Sequence, residues 1–334
     1  MLKALSDHWN SVSASAPRPP EQPAFGPGGR EYRHEGVVRS RHGWGASAYW
    51  IFEPTRPAPL SAPLVVLLHG WAGVYPDGLG RWIEHLVRRG NVVLYPVYQT
   101  AWQPPNARML RKALAAIERA LHKAPGRVRW DTDRFATCGY SLGGVLAVQI
   151  AASVSGCMLP IPKAIMALHP GRGGPHAFLP EVDLRTIRSE TLLLLVAGED
   201  DPAACAEARA VFSAVPQVRE KNLVIVRSDR RGTPMLLADH FAPLAPSASF
   251  DARVARLQRR RNPRIAQLAR DMSRGVNALH YYGYWKLFDA LLDAAFFGRN
   301  FRYALGNTAE QRFMGRWSDG HPVNELQVAL GEHT

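Results

Sequence analysis

The sequence predicts an α/β protein with a mostly parallel central sheet and helices on both faces. Three observations carry this. Short continuous apolar runs recur along the chain, as in Leu64-Val65-Val66-Leu67-Leu68 and Val92-Val93-Leu94-Tyr95-Pro96. A strand apolar on both faces belongs to a sheet that is covered on both sides. Segments of helical spacing lie between these runs, such as Leu110, Leu114, Ile117 and Leu121 within 108–122, and strands that alternate with helices build parallel sheets. Finally, the stretch from Phe135 to Gly144 reads as a strand, a sharp turn and the start of a helix.

The elements follow in order. Residues 31–40 and 47–53 look like strands around a Gly43-Trp44-Gly45 turn, an antiparallel start to the sheet. The strand 64–68 runs into His69-Gly70-Trp71-Ala72-Gly73. Trp82 to Arg89 reads as a helix closed by Gly90. Strand 92–96, helix 108–122, the strand before the turn and its helix 142–155 come next. Strands 163–168 and 191–197, helix 203–214, strand 222–227 and a long helix over about 277–297 complete the series. Two segments break the rhythm. Residues 1–30 are expected to form a flexible or extended arm, since Pro17, Pro19, Pro20, Pro23 and Pro27 crowd its second half. Residues 251–276 hold eight arginines against two aspartates. This Arg-rich insertion before the last helix is either an anion-attracting lid or, more simply, a solvated helix face. Residues 31–334 are otherwise expected to be a single domain, with 300–334 as a C-terminal extension.

Composition narrows the function. The 334 residues carry a formal charge of +13, mostly from arginine. Without a nucleic-acid-binding motif, that charge reads as a solvated basic surface, and no nucleic acid partner is expected. Cys138, Cys157 and Cys205 match no zinc or redox spacing. Cys138 falls in a buried strand, and reduced thiols fit a cytoplasmic setting. Met1 to Asn10 has no apolar run of signal-peptide type, and no 18-residue apolar stretch exists, so no membrane span is expected.

The chemistry centres on Gly139-Tyr140-Ser141-Leu142-Gly143. A serine at the tip of a tight strand-to-helix turn is held in a strained conformation, and small residues two positions away let strand and helix approach. Its hydroxyl needs a base within hydrogen-bond reach, and the base needs an orienting carboxylate. Later strand ends supply both. Strand 191–197 runs into Gly198-Glu199-Asp200-Asp201-Pro202, and after the next strand comes Leu237-Ala238-Asp239-His240-Phe241. Glu199, Asp200 and Asp201 all qualify as the acid. His240 is the first candidate base, and His280 is its rival. The backbone N–H of Leu142, directly after the serine, is placed to stabilise an oxyanion.

With serine, acid and histidine in this order, the chain resembles the α/β-hydrolase family over about 60–300. The resemblance implies an α/β-hydrolase fold and a serine hydrolase that cleaves a carboxylic ester through an acyl-enzyme. It favours Asp201, three residues after the glycine ending its strand, and it implies Trp71 as the second oxyanion donor. No cofactor or metal is implied; His69 has no second ligand at a sensible spacing. The substrate would be a small-molecule ester, lipophilic or anionic. Leu168-His169-Pro170-Gly171 and Asp239-His240-Phe241 are similar to the chlorophyllase, dienelactone-hydrolase and polyester-hydrolase branches. The dienelactone branch typically uses cysteine, so Ser141 departs from it. Alternatives are an amidase or peptidase of the same fold and a non-catalytic binding protein. The run Tyr281-Tyr282-Gly283-Tyr284-Trp285 could line a lipophilic pocket, but it reads better as a packing face.

Overall fold

A computed structural model describes residues 16–100, 103–123, 126–172, 179–247, 249 and 274–330. Its centre is a nine-stranded sheet in the order β1-β2-β4-β3-β5-β6-β7-β8-β9. β1 (Gly36–His42) and β2 (Tyr49–Thr55) form an antiparallel hairpin whose second strand pairs with β4. β3 (Ser61–Leu68), β4 (Val92–Pro96), β5 (Arg129–Tyr140), β6 (Ala164–Leu168), β7 (Leu192–Gly198) and β8 (Lys221–Val226) are mutually parallel. β9 (Gln327–Leu330) closes the far edge antiparallel to β8.

Side-chain alternation divides the core into layers. Along β3, Val65 and Leu67 face one side with Trp82, Ile83 and Leu86 of α1 (Gly80–Arg88) and Leu287, Phe288 and Leu291 of α5 (Trp285–Phe297). Leu64, Val66 and Leu68 face the other side, with α2 (Arg108–Lys123) and α3 (Leu142–Ser153). α4 (Pro202–Ala214) continues that second layer over β6 and β7. Both faces are therefore covered, which is why the strands read as unbroken apolar runs. Every residue of α3 from Leu142 to Ala152 is buried, so its sequence is apolar all round rather than striped.

Three features differ from the sequence reading. β5 begins at Arg129 and not near 135, because its first half is polar and half exposed. The final helix opens with one wide turn over Leu279–Tyr284, whose hydrogen bonds span five residues, before α5 proper. The C-terminal part folds back as two single-turn helices, α6 (Phe301–Ala304) and α7 (Ala309–Arg312), and then β9. Residues 16–30 have no regular structure but lie against the domain. Pro17 O accepts from Thr233 N, Ser318 N donates to Arg18 O, and Gly28 N donates to the buried carboxylate of Asp289 at 2.7 Å. The Arg-rich run is outside the described residues apart from 274–276.

Candidate active site

Ser141 sits at the junction of β5 and α3 with φ 56° and ψ −119°. A positive φ on a non-glycine residue costs about 1–3 kcal/mol and persists only where its surroundings enforce it. They do so here. Ser141 N donates to Leu168 O at 2.9 Å, and Ser141 O accepts from Gly171 N at 3.1 Å and Gly144 N at 2.9 Å. The flanking glycines are forced by space. A Cβ on Gly139 would lie 2.0 Å from Gly143 O, and one on Gly143 would lie 2.2 Å from Leu68 O. Strand, turn and helix meet backbone to backbone.

The structure brings three sequence-predicted residues together at the C-terminal ends of β5, β7 and β8. Ser141 Oγ is 2.9 Å from His240 Nε2, and His240 Nδ1 is 2.7 Å from Asp201 Oδ2. His240 is about one third exposed, whereas Asp201 is buried. Tyr140 OH donates to His240 O at 2.9 Å and fixes the loop that carries the imidazole. Asp201 caps α4, with its Oδ1 accepting from Ala204 N at 3.2 Å ahead of Pro202 at the first helical position. Burial pushes the Asp201 carboxyl pKa up. Hydrogen bonds from two histidines and the Ala204 N–H outweigh it, and the group titrates well below the usual carboxylate range.

The rival residues point elsewhere. Asp200 accepts from Ser228 Oγ at 2.6 Å and pairs with Arg230 at 3.0 Å. Glu199 accepts from Ser228 N. His280 is buried, with Nε2 at 3.1 Å from Leu244 O, and burial lowers its pKa to about 4. His69 is likewise buried, stacked on Tyr98 with ring centroids 4.0 Å apart, and lowered to about 4 by burial. Both are neutral structural histidines near pH 7. In the aromatic run, Tyr284 and Trp285 are buried core residues, and Tyr281 and Tyr282 pack against that core.

Trp71 follows Gly70 in the turn after β3, where Gly73 N donates to Gly70 O and Ala72 takes φ 65°. A Cβ on Gly70 would come within 3.3 Å of Ser141 Cβ, so this loop lies directly against the serine. Leu142 opens α3, and first-turn N–H groups have no acceptor one turn back. Gly171 flanks the hydroxyl from the β6 side; its Cβ position is 3.9 Å from Ser141 Oγ.

Sequence reasoning did not assign His169 to the site. It is fully buried, with Nδ1 3.1 Å from the same Asp201 oxygen and Nε2 3.0 Å from Tyr284 OH. No spacing pattern marks it; its one cue is its place just past β6, the next strand after the serine strand. Donor atoms of His169, Asp201 and His240 all lie within 4.8 Å of one another, a spacing a metal ion could use. Each is already engaged by hydrogen bonds inside the network.

Sheet order, the strained serine turn and a site at the carboxyl ends of parallel strands together define an α/β-hydrolase fold. Residues 48–226, more than half of the chain, match the family model described as "Dienelactone hydrolase family". The chain belongs to that family and is a hydrolase by membership. No protein of curated function matches it. Among the described residues, no helix is long and apolar enough to cross a membrane.

Proposed function

We propose that the protein is a serine hydrolase that cleaves a carboxylic ester of a small molecule through an acyl-enzyme. The observation that carries this reading is the unbroken chain Ser141 Oγ, His240 Nε2, His240 Nδ1, Asp201 Oδ2, with links of 2.9 and 2.7 Å. His240 takes the hydroxyl proton as Ser141 Oγ attacks the ester carbonyl. Asp201 fixes the Nδ1–H tautomer and stabilises the imidazolium that forms. The N–H groups of Leu142 and Trp71 bind the oxyanion of the tetrahedral intermediate, a contribution of about 3–4 kcal/mol per donor where one has been removed in such sites. His240 then gives its proton to the departing alkoxide. A water that it activates attacks the acyl-enzyme, and the acid leaves. Asp201, held far from protonation by its three donors, keeps this role across the neutral pH range. A cytoplasmic setting for the three free thiols belongs to this reading.

The test is hydrolysis of short p-nitrophenyl esters and of matched anilides, wild type beside Ser141→Ala. The reading expects ester turnover that the substitution lowers by several orders of magnitude. Turnover that survives in Ser141→Ala, or a preference for the anilide, overturns it.

A further inference from the structure

The network does not stop at the carboxylate. Asp201 Oδ2 receives two imidazoles, His240 at 2.7 Å and His169 at 3.1 Å. His169 is closed off from solvent, and its second nitrogen meets Tyr284 OH at 3.0 Å. Tyr284 is buried too, and among the described residues its hydroxyl is hydrogen-bonded to that nitrogen alone. With Asp201 ionised and the His169 ring neutral, Tyr284 O–H donates to His169 Nε2 and His169 Nδ1–H donates to Asp201. The fold makes room for this ring. A Cβ on Gly198 would lie 1.9 Å from Ala238 O and 2.6 Å from His169 Cε1, so backbone and ring together leave room only for glycine at the end of β7. The backbone of His169 is itself held at φ 42° by its N–H bond to Val196 O at 2.6 Å.

We propose that His169 is a positioning residue for the Ser141–His240–Asp201 triad: a second, buried N–H donor to Asp201, fixed by Tyr284, that aims the carboxylate and sets how strongly it holds the His240 imidazolium. The inference rests on the ester-hydrolase reading of the site. Its physics is charge sharing. An oxygen that accepts two N–H donors offers each of them less negative charge than an oxygen that accepts one. Burial lowers the pKa of His169 more than its bond to Asp201 raises it, so the ring acts as a neutral donor and adds no charge to the site. Among the described residues, the other titratable groups facing the network are Asp239, which is paired with Arg274 at 2.7 Å, Tyr140 behind His240, His280 at the edge of Tyr284, and Cys205 on α4. All are retained in the variants below.

His169→Phe keeps an aromatic ring, a larger one, and removes both nitrogens. All of the remaining carboxylate charge on Oδ2 then falls on His240, which favours the imidazolium. The acid limb of kcat/KM moves to higher pH by about half a unit to one unit. Plateau kcat falls about 10- to 100-fold through looser aim, and KM stays put because His169 does not touch substrate. Tyr284→Phe shifts the limb the same way by less. His169→Asn restores a donor at the Nδ1 position, with a residue that tolerates positive φ, and returns the profile to wild type. The same displacement is read without turnover from the His240 ring by NMR titration, where its midpoint rises in His169→Phe. A folded His169→Phe whose acid limb and His240 titration both match wild type overturns the inference. So does a His169→Asn variant no better than His169→Phe. Failure of the ester reading looks different: wild-type protein then turns over no ester, while the NMR comparison still decides the role of His169.

Discussion

Two buried carboxylates, Asp201 and Asp289, solve the same physical problem in opposite ways. Both are withdrawn from water, and both accept from a histidine. Burial raises the pKa of each, and surrounding donors more than reverse it. Asp289 is closed on every side. Its Oδ2 meets His85 Nε2 at 2.9 Å, Arg89 Nε at 3.1 Å and Gly28 N at 2.7 Å, which ties α5 to α1 and to the 16–30 segment. His85 is itself fully buried and stacked on Trp285. The far nitrogen of His85 meets the Tyr32 hydroxyl at 3.2 Å, a phenol that burial keeps protonated, and not a serine at a strand-to-helix turn. Among the described residues Asp201 has no guanidinium partner, and one of its imidazoles is partly exposed with its far nitrogen on Ser141. A carboxylate neutralised by arginine holds a fold together. A carboxylate whose counter-charge is an imidazole that can gain and lose a proton at an open rim can take part in chemistry.

Substitutions can break that contrast. The largest effect expected is on activity: Asp201→Asn lowers kcat on a short ester about 10⁴-fold, because the amide presents the wrong hydrogen-bonding partner to His240 Nδ1–H. Its Tm moves by only a few degrees. Asp289→Asn is expected to do the reverse. It leaves Arg89 uncompensated beside buried His85 and costs about 3–5 kcal/mol of stability by urea denaturation. The kcat/KM of the protein that remains folded is unchanged. If Asp289→Asn silenced a folded enzyme, the division between the two clusters would fall.

A further expected effect is on stability against pH. His69 and His280 are buried neutral, with folded pKa values of about 4. The unfolded chain binds protons near pH 6.5, so it holds more protons than the folded protein between those values. Stability is therefore full above pH 6.5 and declines as pH falls toward 4, by up to about 3 kcal/mol for each histidine. His69→Gln should flatten part of this slope in urea denaturation, and an unaltered slope contradicts the assignment. The smallest effect expected is that of Asp200→Asn, whose side chain among the described residues is hydrogen-bonded to Ser228 and Arg230 at the site's edge. It should change kcat/KM less than about threefold.

The same contrast explains what the sequence could and could not show. The serine turn was legible because its constraints are local: Gly139 and Gly143 leave no room for side chains, and they sit in fixed register with Ser141. Asp201 was legible in part, since three consecutive acids end β7 and only their directions in space separate them. His240 was legible from chain order. His169 was not, because a lone histidine at a strand end carries no pattern, and its partners lie 32 and 115 residues away. Tyr284 was hidden inside an aromatic run that does pack the core. The Asp289 cluster was hidden for the same reason, with 204 and 261 residues separating its members. β9 was missed because four mostly exposed residues at a sheet edge lack both the length and the apolar content of the central strands. The 16–30 segment reads as proline-rich and irregular, and its anchoring comes from backbone groups that composition cannot reveal.

The account as a whole depends on Ser141 being a nucleophile activated by its neighbours. The most direct measurement is reaction with a fluorophosphonate probe, with the modified residue mapped by mass spectrometry in wild type and in His240→Ala. The account predicts a single adduct on Ser141 that forms readily in wild type and at least about a hundredfold more slowly without the imidazole. An unlabelled Ser141, or labelling at the same rate in His240→Ala, would contradict it.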